Sequence, residues 1–243
     1  MPLISRRNLV AGSLGVLCLQ AQPGASNKPK IVVTGGHPGD PEYGCGGTVA
    51  RYTALGHPVT LLYLNQGEKG CPGKTGAECA GIRTAEARKA CSILGAQPRF
   101  ASQIDGEAVV SNPTYEDFRQ LLKREKPDVL FTHWPVDRHP DHRAISNLAY
   151  DAWLSMGKRA GFYYYEVSDG EDTAMFSPTD YVDISTVENR KRAACFAHAS
   201  QSPQKFYELQ SQVTRFRGIE SGYSQAEAFI RHVDSPKYWL PGK

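Results

Sequence analysis

Residues 31–48 read I-V-V-T-G-G-H-P-G-D-P-E-Y-G-C-G-G-T. The β-branched run Ile31-Val32-Val33 leads into a stretch where six glycines and two prolines surround His37, Asp40 and Glu42. A short apolar run that ends in such a turn reads as a buried strand, and open α/β sheets collect their ligands at the carboxyl ends of strands. The same alternation continues along the chain. Apolar strands are expected over 58–65, 99–104 and 127–133, with helices over 47–55, 80–94, 115–125 and 144–156, the third with Thr114 as a candidate cap. Strands over 162–167 and 180–184 and helices over 187–198 and 203–215 complete the pattern. Short strands alternating with longer helices imply parallel βαβ units. The expected fold is therefore α/β: a Rossmann-like, mostly parallel sheet flanked by helices, in a single domain without linker, repeat or low-complexity segment.

The 243 residues, 40% hydrophobic and 22% charged, have the composition of an ordinary globular protein. The net charge is +3, and no Lys/Arg-rich run is present that would track a nucleic-acid backbone. Residues 1–25 are read apart from the fold, leaving 26–243 as the domain. Arg6-Arg7 precede a modest apolar stretch ending near Gln20-Ala21-Gln22-Pro23, the layout of a twin-arginine export signal. That stretch is shorter than the roughly 20 residues a membrane-spanning helix needs, so no stable membrane insertion is expected after cleavage. The expected location is periplasmic or extracellular, in a bacterium. Oxidising surroundings permit a disulfide, and Cys71 and Cys79, flanking C-P-G-K-T-G-A-E-C, are the best candidate pair among Cys45, Cys71, Cys79, Cys91 and Cys195.

A second informative stretch, Thr132-His133-Trp134-Pro135-Val136-Asp137-Arg138-His139-Pro140-Asp141-His142-Arg143, follows the fourth expected strand. In doubly wound sheets the first and fourth strands are commonly neighbours, which would bring both stretches into one crevice. A phosphate loop would need G-x-G-x-x-G or G-x-x-x-x-G-K-[ST], and neither occurs. The glycines therefore serve a metal better than a nucleotide. Pro38 and Pro140 hold His37 and His139 extended. Two histidines, one aspartate and a water form the open coordination of a catalytic zinc, which lowers the pKa of that water to about 7.

Together the motifs resemble the PIG-L/LmbE-like family of zinc-dependent N-deacetylases, whose pattern is A-H-P-D-D-x-E-x-G-x-G-G after a strand, then H-P-D-H after a later one. The matching residues are His37-Pro38, Asp40, Glu42, Gly44, Gly46-Gly47 and His139-Pro140-Asp141-His142, with R-T-A-E at Arg83–Glu86 and A-H-A-S-Q at Ala197–Gln201 as further features. The resemblance implies metal ligands at His37, Asp40 and His142, with zinc the expected ion and Fe²⁺ or Mn²⁺ acceptable to the same donors. It implies that His139 supports the developing oxyanion or acts as general acid, tuned by Asp141. Glu42, Arg83, Arg143 and Trp134 are candidates to contact the substrate, an N-acetylated amino sugar or glycoconjugate whose amide is attacked by metal-bound hydroxide. One position departs from the pattern: the family's proton-accepting aspartate is Gly39. Asp137, Asp141 or Glu42 could reach the water instead, the reaction could run without a base, or the chain could be a metal-retaining glycan binder. A thiol-conjugate amidase is the alternative within the family. His133 is a candidate to hold another site residue in place, and His198 is divided between helix packing and lining the site.

Overall fold

The computed structural model describes residues 28–167 and 171–242; the expected export signal lies outside them. Strands β1 (Ile31–Gly35), β2 (Val59–Tyr63), β3 (Gln97–Phe100), β4 (Val129–His133) and β5 (Gly161–Tyr165) alternate with helices α1 (Asp40–Ala54), α2 (Gly76–Leu94), α3 (Asn112–Glu125) and α4 (Pro140–Ser155). A short α5 (Glu171–Met175), β6 (Asp180–Asp183), α6 (Glu188–Phe196), α7 (Pro203–Ser221) and β7 (Ala226–Arg231) follow. The seven strands form one sheet in the order β3-β2-β1-β4-β5-β7-β6. The first five are parallel, and β7 runs antiparallel to both β5 and β6. The single-domain, mostly parallel α/β fold expected from the sequence is the one found.

Side-chain alternation sorts β1 between two cores, as a strand covered on both faces requires. Ile31 and Val33 join Val49, Leu94 and Tyr163 on the face that packs under α1, α2 and α6. Val32 joins Leu130, Leu148 and Trp153 beneath α3 and α4. Among the described residues no helix is long and apolar enough to cross a membrane.

The structure moves several expected boundaries. Helix α1 starts at Asp40, seven residues before the expected 47, so the glycine-rich stretch is largely helix rather than turn. Its glycines serve close packing: a Cβ on Gly44 would lie 2.3 Å from Tyr165 Cδ2, and one on Gly47 2.4 Å from Ile184 Cγ2. Ser111, not Thr114, caps α3, while the Thr114 side chain returns the capping-box bond at N3. β3 occupies 97–100 instead of 99–104 and carries Pro98 at the sheet edge, where a missing N–H is tolerated. β7 was not foreseen.

β7 enters the core through one buried ion pair. Glu227 accepts hydrogen bonds from Gly47 N at 2.8 Å, Thr48 N at 2.7 Å and Thr48 Oγ1 at 2.6 Å, and pairs with Lys191 Nζ at 2.6 Å, both side chains 2% exposed. Removing one partner leaves an uncompensated buried charge. Lys191→Ala is therefore expected to destabilise the fold by about 3–5 kcal/mol, read from the midpoint of denaturant unfolding; a loss below about 1 kcal/mol, the scale of an exposed pair, would contradict it.

Candidate metal centre and active site

Strand order reverses between β1 and β4, which are direct neighbours. The loop after β1 carries His37 and opens into α1 at Asp40, while the loop after β4 carries Asp137 and His139 and opens into α4. Pro140 at the first turn of α4 leaves His139 extended, at φ −81° and ψ 130°, as its sequence position requires.

Three side-chain atoms from these loops and the first turns of α1 and α4 converge. His142 Nε2 lies 3.3 Å from His37 Nδ1 and 3.0 Å from Asp40 Oδ2, and His37 Nδ1 lies 3.2 Å from Asp40 Oδ2. Tetrahedral bonds of about 2.0–2.1 Å to zinc put neighbouring ligand atoms about 3.3–3.4 Å apart. The triangle thus has nearly the size that a first-row dication demands, and its two imidazoles and one carboxylate are donors such an ion accepts.

Each imidazole is held from behind by a carboxylate. Asp137 Oδ2 lies 2.9 Å from His142 Nδ1, and Asp137 Oδ1 accepts from His139 N at 2.8 Å. Asp141 Oδ2 lies 3.1 Å from His37 Nε2 and accepts from Asn65 Nδ2 at 3.1 Å and Gly106 N at 2.7 Å. Asp105 Oδ1 stands 3.3 Å from the same His37 nitrogen. His133 stacks on His142 with ring centroids 3.9 Å apart. Carboxylates behind metal-bound histidines fix ring orientation and raise basicity, and their loss typically costs 10–100-fold in metal affinity. Asp137→Asn is accordingly expected to weaken zinc binding by about 10–100-fold, measured by competition with a chromophoric chelator; unchanged affinity would remove Asp137 from this role.

Without a cation, the carboxylates stabilise protonated imidazoles. Burial alone would lower the His142 pKa, but Asp40 and Asp137 outweigh it and raise it to about 9. The same contest, led by burial and then Asp40, ends with His37 raised. His139 goes the other way, lowered by burial and by the positive charges of His37 and His142. Its Nδ1 accepts the backbone N–H of Asp141 at 3.2 Å, so the neutral ring carries its proton on Nε2. The His139 ring stands 4.7 Å from that of His37 and 4.8 Å from that of His142, centroid to centroid, beside the triangle.

The remaining sequence candidates are more widely distributed. Asp137 and Asp141, expected as possible proton acceptors, are 2% and 1% exposed and bonded as described. Glu42 is fully buried, its Oε1 accepting from Tyr63 Oη at 2.8 Å and lying 3.0 Å from His198 Nε2. Arg83 reaches from α2 to donate to the Pro38 carbonyl, pinning the loop between His37 and Asp40, and it lines the recess beside Gly39. Arg143 donates to the carbonyls of Asp137 at 2.8 Å and Arg138 at 2.7 Å, bracing its own loop. Trp134 packs edge-on to Phe176, with ring centroids 5.7 Å apart. Asp105 was not anticipated. Its only signal was its place a few residues past β3, at the same carboxyl edge as the other site loops. The Cys71–Cys79 disulfide is formed, and Cys79 lies near the start of α2, beside the loop that follows β2.

The PIG-L family model, described as GlcNAc-PI de-N-acetylase, matches residues 32–153, which include both loops of the triangle. The chain belongs to this family. Among PIG-L relatives, the diacetylchitobiose deacetylase of Thermococcus kodakarensis is 29% identical over 223 residues, covering 84% of this chain and 83% of that protein. A 1D-myo-inositol 2-acetamido-2-deoxy-alpha-D-glucopyranoside deacetylase of Actinosynnema mirum is 29% identical over 144 residues, and there the match spans only 51% of the relative. Among solved structures, the conserved protein TT1542 from Thermus thermophilus is 30% identical with a TM-score of 0.75, over 88% of this chain and 98% of that one.

Proposed function

We propose that the protein is a zinc-dependent N-deacetylase that removes the acyl group from an N-acetylated amino sugar or glycoconjugate. The observation that carries this reading is the triangle of His37 Nδ1, Asp40 Oδ2 and His142 Nε2, with edges of 3.0–3.3 Å. Support comes from relatives named as deacetylases of acetylated sugars. A bound dication would polarise the amide carbonyl and acidify water. The protein's own groups do the rest. Asp137 and Asp141 hold the two ligand imidazoles in register. His139, with its proton on Nε2, donates a hydrogen bond to the oxygen that gains charge as the carbonyl carbon becomes tetrahedral, and the proton that the departing amine takes comes from the attacking water. Arg83 fixes the loop between two ligands and offers a directional contact to the sugar.

Glycine at 39 favours a second reading, a metal-retaining glycan binder without turnover, because the family's proton acceptor is missing. Primary-amine release by the purified, zinc-loaded protein from a panel of N-acetylated sugars separates the two. Release is expected. Its absence from a protein holding stoichiometric metal and binding the same sugars would favour the binder. Export by the twin-arginine route belongs to the same proposal and is supported by the Cys71–Cys79 disulfide, which suits an oxidising compartment. Recovery of the protein in the periplasmic fraction, lost when Arg6 and Arg7 become lysines, is the expected result.

A further inference from the structure

The structure opens a recess at residue 39, directly beside the donor triangle. Gly39 caps α1 at φ 115°, and the three atoms nearest to a Cβ built there are His198 Cδ2, His198 Cγ and Tyr43 Cδ2, all at 3.9 Å and all carbon. Asp40 forms the wall of the recess toward the triangle, and Val167, Leu209 and Phe206 extend it outward, with Phe206 48% exposed at its end. The polar atoms of the inner wall are turned away from solvent: Tyr43 Oη and His198 Nδ1 are closed off from it, and His198 Nε2 faces the buried Glu42. Arg83, Gln201 and Gln210 complete the lining, so the recess is mixed in character, with carbon nearest to residue 39 and along Val167, Leu209 and Phe206. In the family pattern this position carries an aspartate, which would narrow the recess and charge it.

We propose, resting on the amide-hydrolase reading above, that the recess is the subsite for the departing acyl group and accepts linear acyl chains longer than acetyl. Hydrolysis adds water across the amide C–N bond, so that the acyl carbon leaves as a carboxylate and the nitrogen, having taken a proton, leaves as the amine. The longer chain gains by burial: about 0.8 kcal/mol per methylene corresponds to about fourfold in affinity.

The test titrates the zinc-loaded protein calorimetrically with acetate, butyrate and hexanoate, products that bind whether or not turnover occurs. Affinity is expected to rise by up to about fourfold per methylene, and to become nearly independent of length in Leu209→Gln. Phe206→Ala, altered at an exposed position, is expected to reduce only the gain from butyrate to hexanoate. Affinities independent of length in the unaltered protein, or a length dependence that survives Leu209→Gln, would overturn the subsite. Turnover of N-acetyl-, N-butyryl- and N-hexanoylglucosamine is measured alongside. Length-independent binding with amine release from the acetyl sugar would sink the subsite and leave the deacetylase standing. Length-dependent binding without release from any of the three would keep the recess as an acyl-binding site and remove the hydrolase.

Discussion

His142→Ala is expected to abolish both metal retention and amine release. The substitution removes one of only two nitrogens in the donor triangle and leaves His37 Nδ1 and Asp40 Oδ2, 3.2 Å apart, as a two-point site. It also takes the nearest partner, 2.9 Å away, from Asp137 Oδ2, leaving His133 Nδ1 at 3.6 Å beside a carboxylate that stays almost wholly buried. Changes behind the ligands alone cost about 10–100-fold, so loss of a ligand is expected to lower turnover by at least ~10³-fold. Elemental analysis of the purified variant and amine release at saturating substrate read the two effects separately. Stoichiometric zinc together with undiminished turnover would mean that the triangle is not the working site.

Gly39→Asp is expected to act in the opposite direction, raising kcat. General-base help is typically worth 10²–10⁴-fold, and none of the carboxylates proposed as substitutes is placed for it. Asp137 and Asp141 are bound to imidazole and backbone groups, and Glu42 is fully buried against Tyr63 and His198. There is room for the new Cβ, since beyond its chain neighbours nothing lies closer than 3.9 Å to it. The backbone is the obstacle: at φ 115° a residue with a Cβ is strained, at a cost of about 1–3 kcal/mol. The variant should therefore be faster by roughly 10²-fold or more while melting at a lower temperature. It should also lose preference for longer acyl chains, because the carboxylate would occupy the recess. Unchanged kcat in a folded, zinc-loaded variant would show that proton transfer is already served elsewhere.

The two loops were legible because their chemistry is local. His37-Pro38, Asp40 and His139-Pro140-Asp141-His142 state the donor types and their spacing in consecutive residues, and the apolar runs before them mark strand ends. The disulfide was legible for a similar reason: Cys71 and Cys79 flank one short loop, so few alternatives competed. Parallel strand assignments held for β1, β2 and β4 because both faces of those strands are covered, which leaves a continuous apolar signature.

Tertiary structure decided the rest. The start of α1 was hidden because Gly44, Gly46 and Gly47 have poor helix propensity, and only the approach of Tyr165, Lys191 and Ile184 to their bare backbone explains them. β7 carries the buried Glu227, whose charge argues against a core strand until Lys191 and the amides of Gly47 and Thr48 are brought to it from other elements. In the site, the motifs placed several carboxylates within reach of two candidate ligand histidines, but not their duties. Which carboxylate backs which imidazole, that Glu42 faces inward, and that Asp105 arrives from β3 depend on contacts between loops far apart in sequence. Sequence by itself determined the candidate donors and the strand ends that present them, because both are properties of short segments. Only the fold decided which side chains turn toward the candidate metal position, which brace them, and what space the missing side chain of residue 39 leaves open.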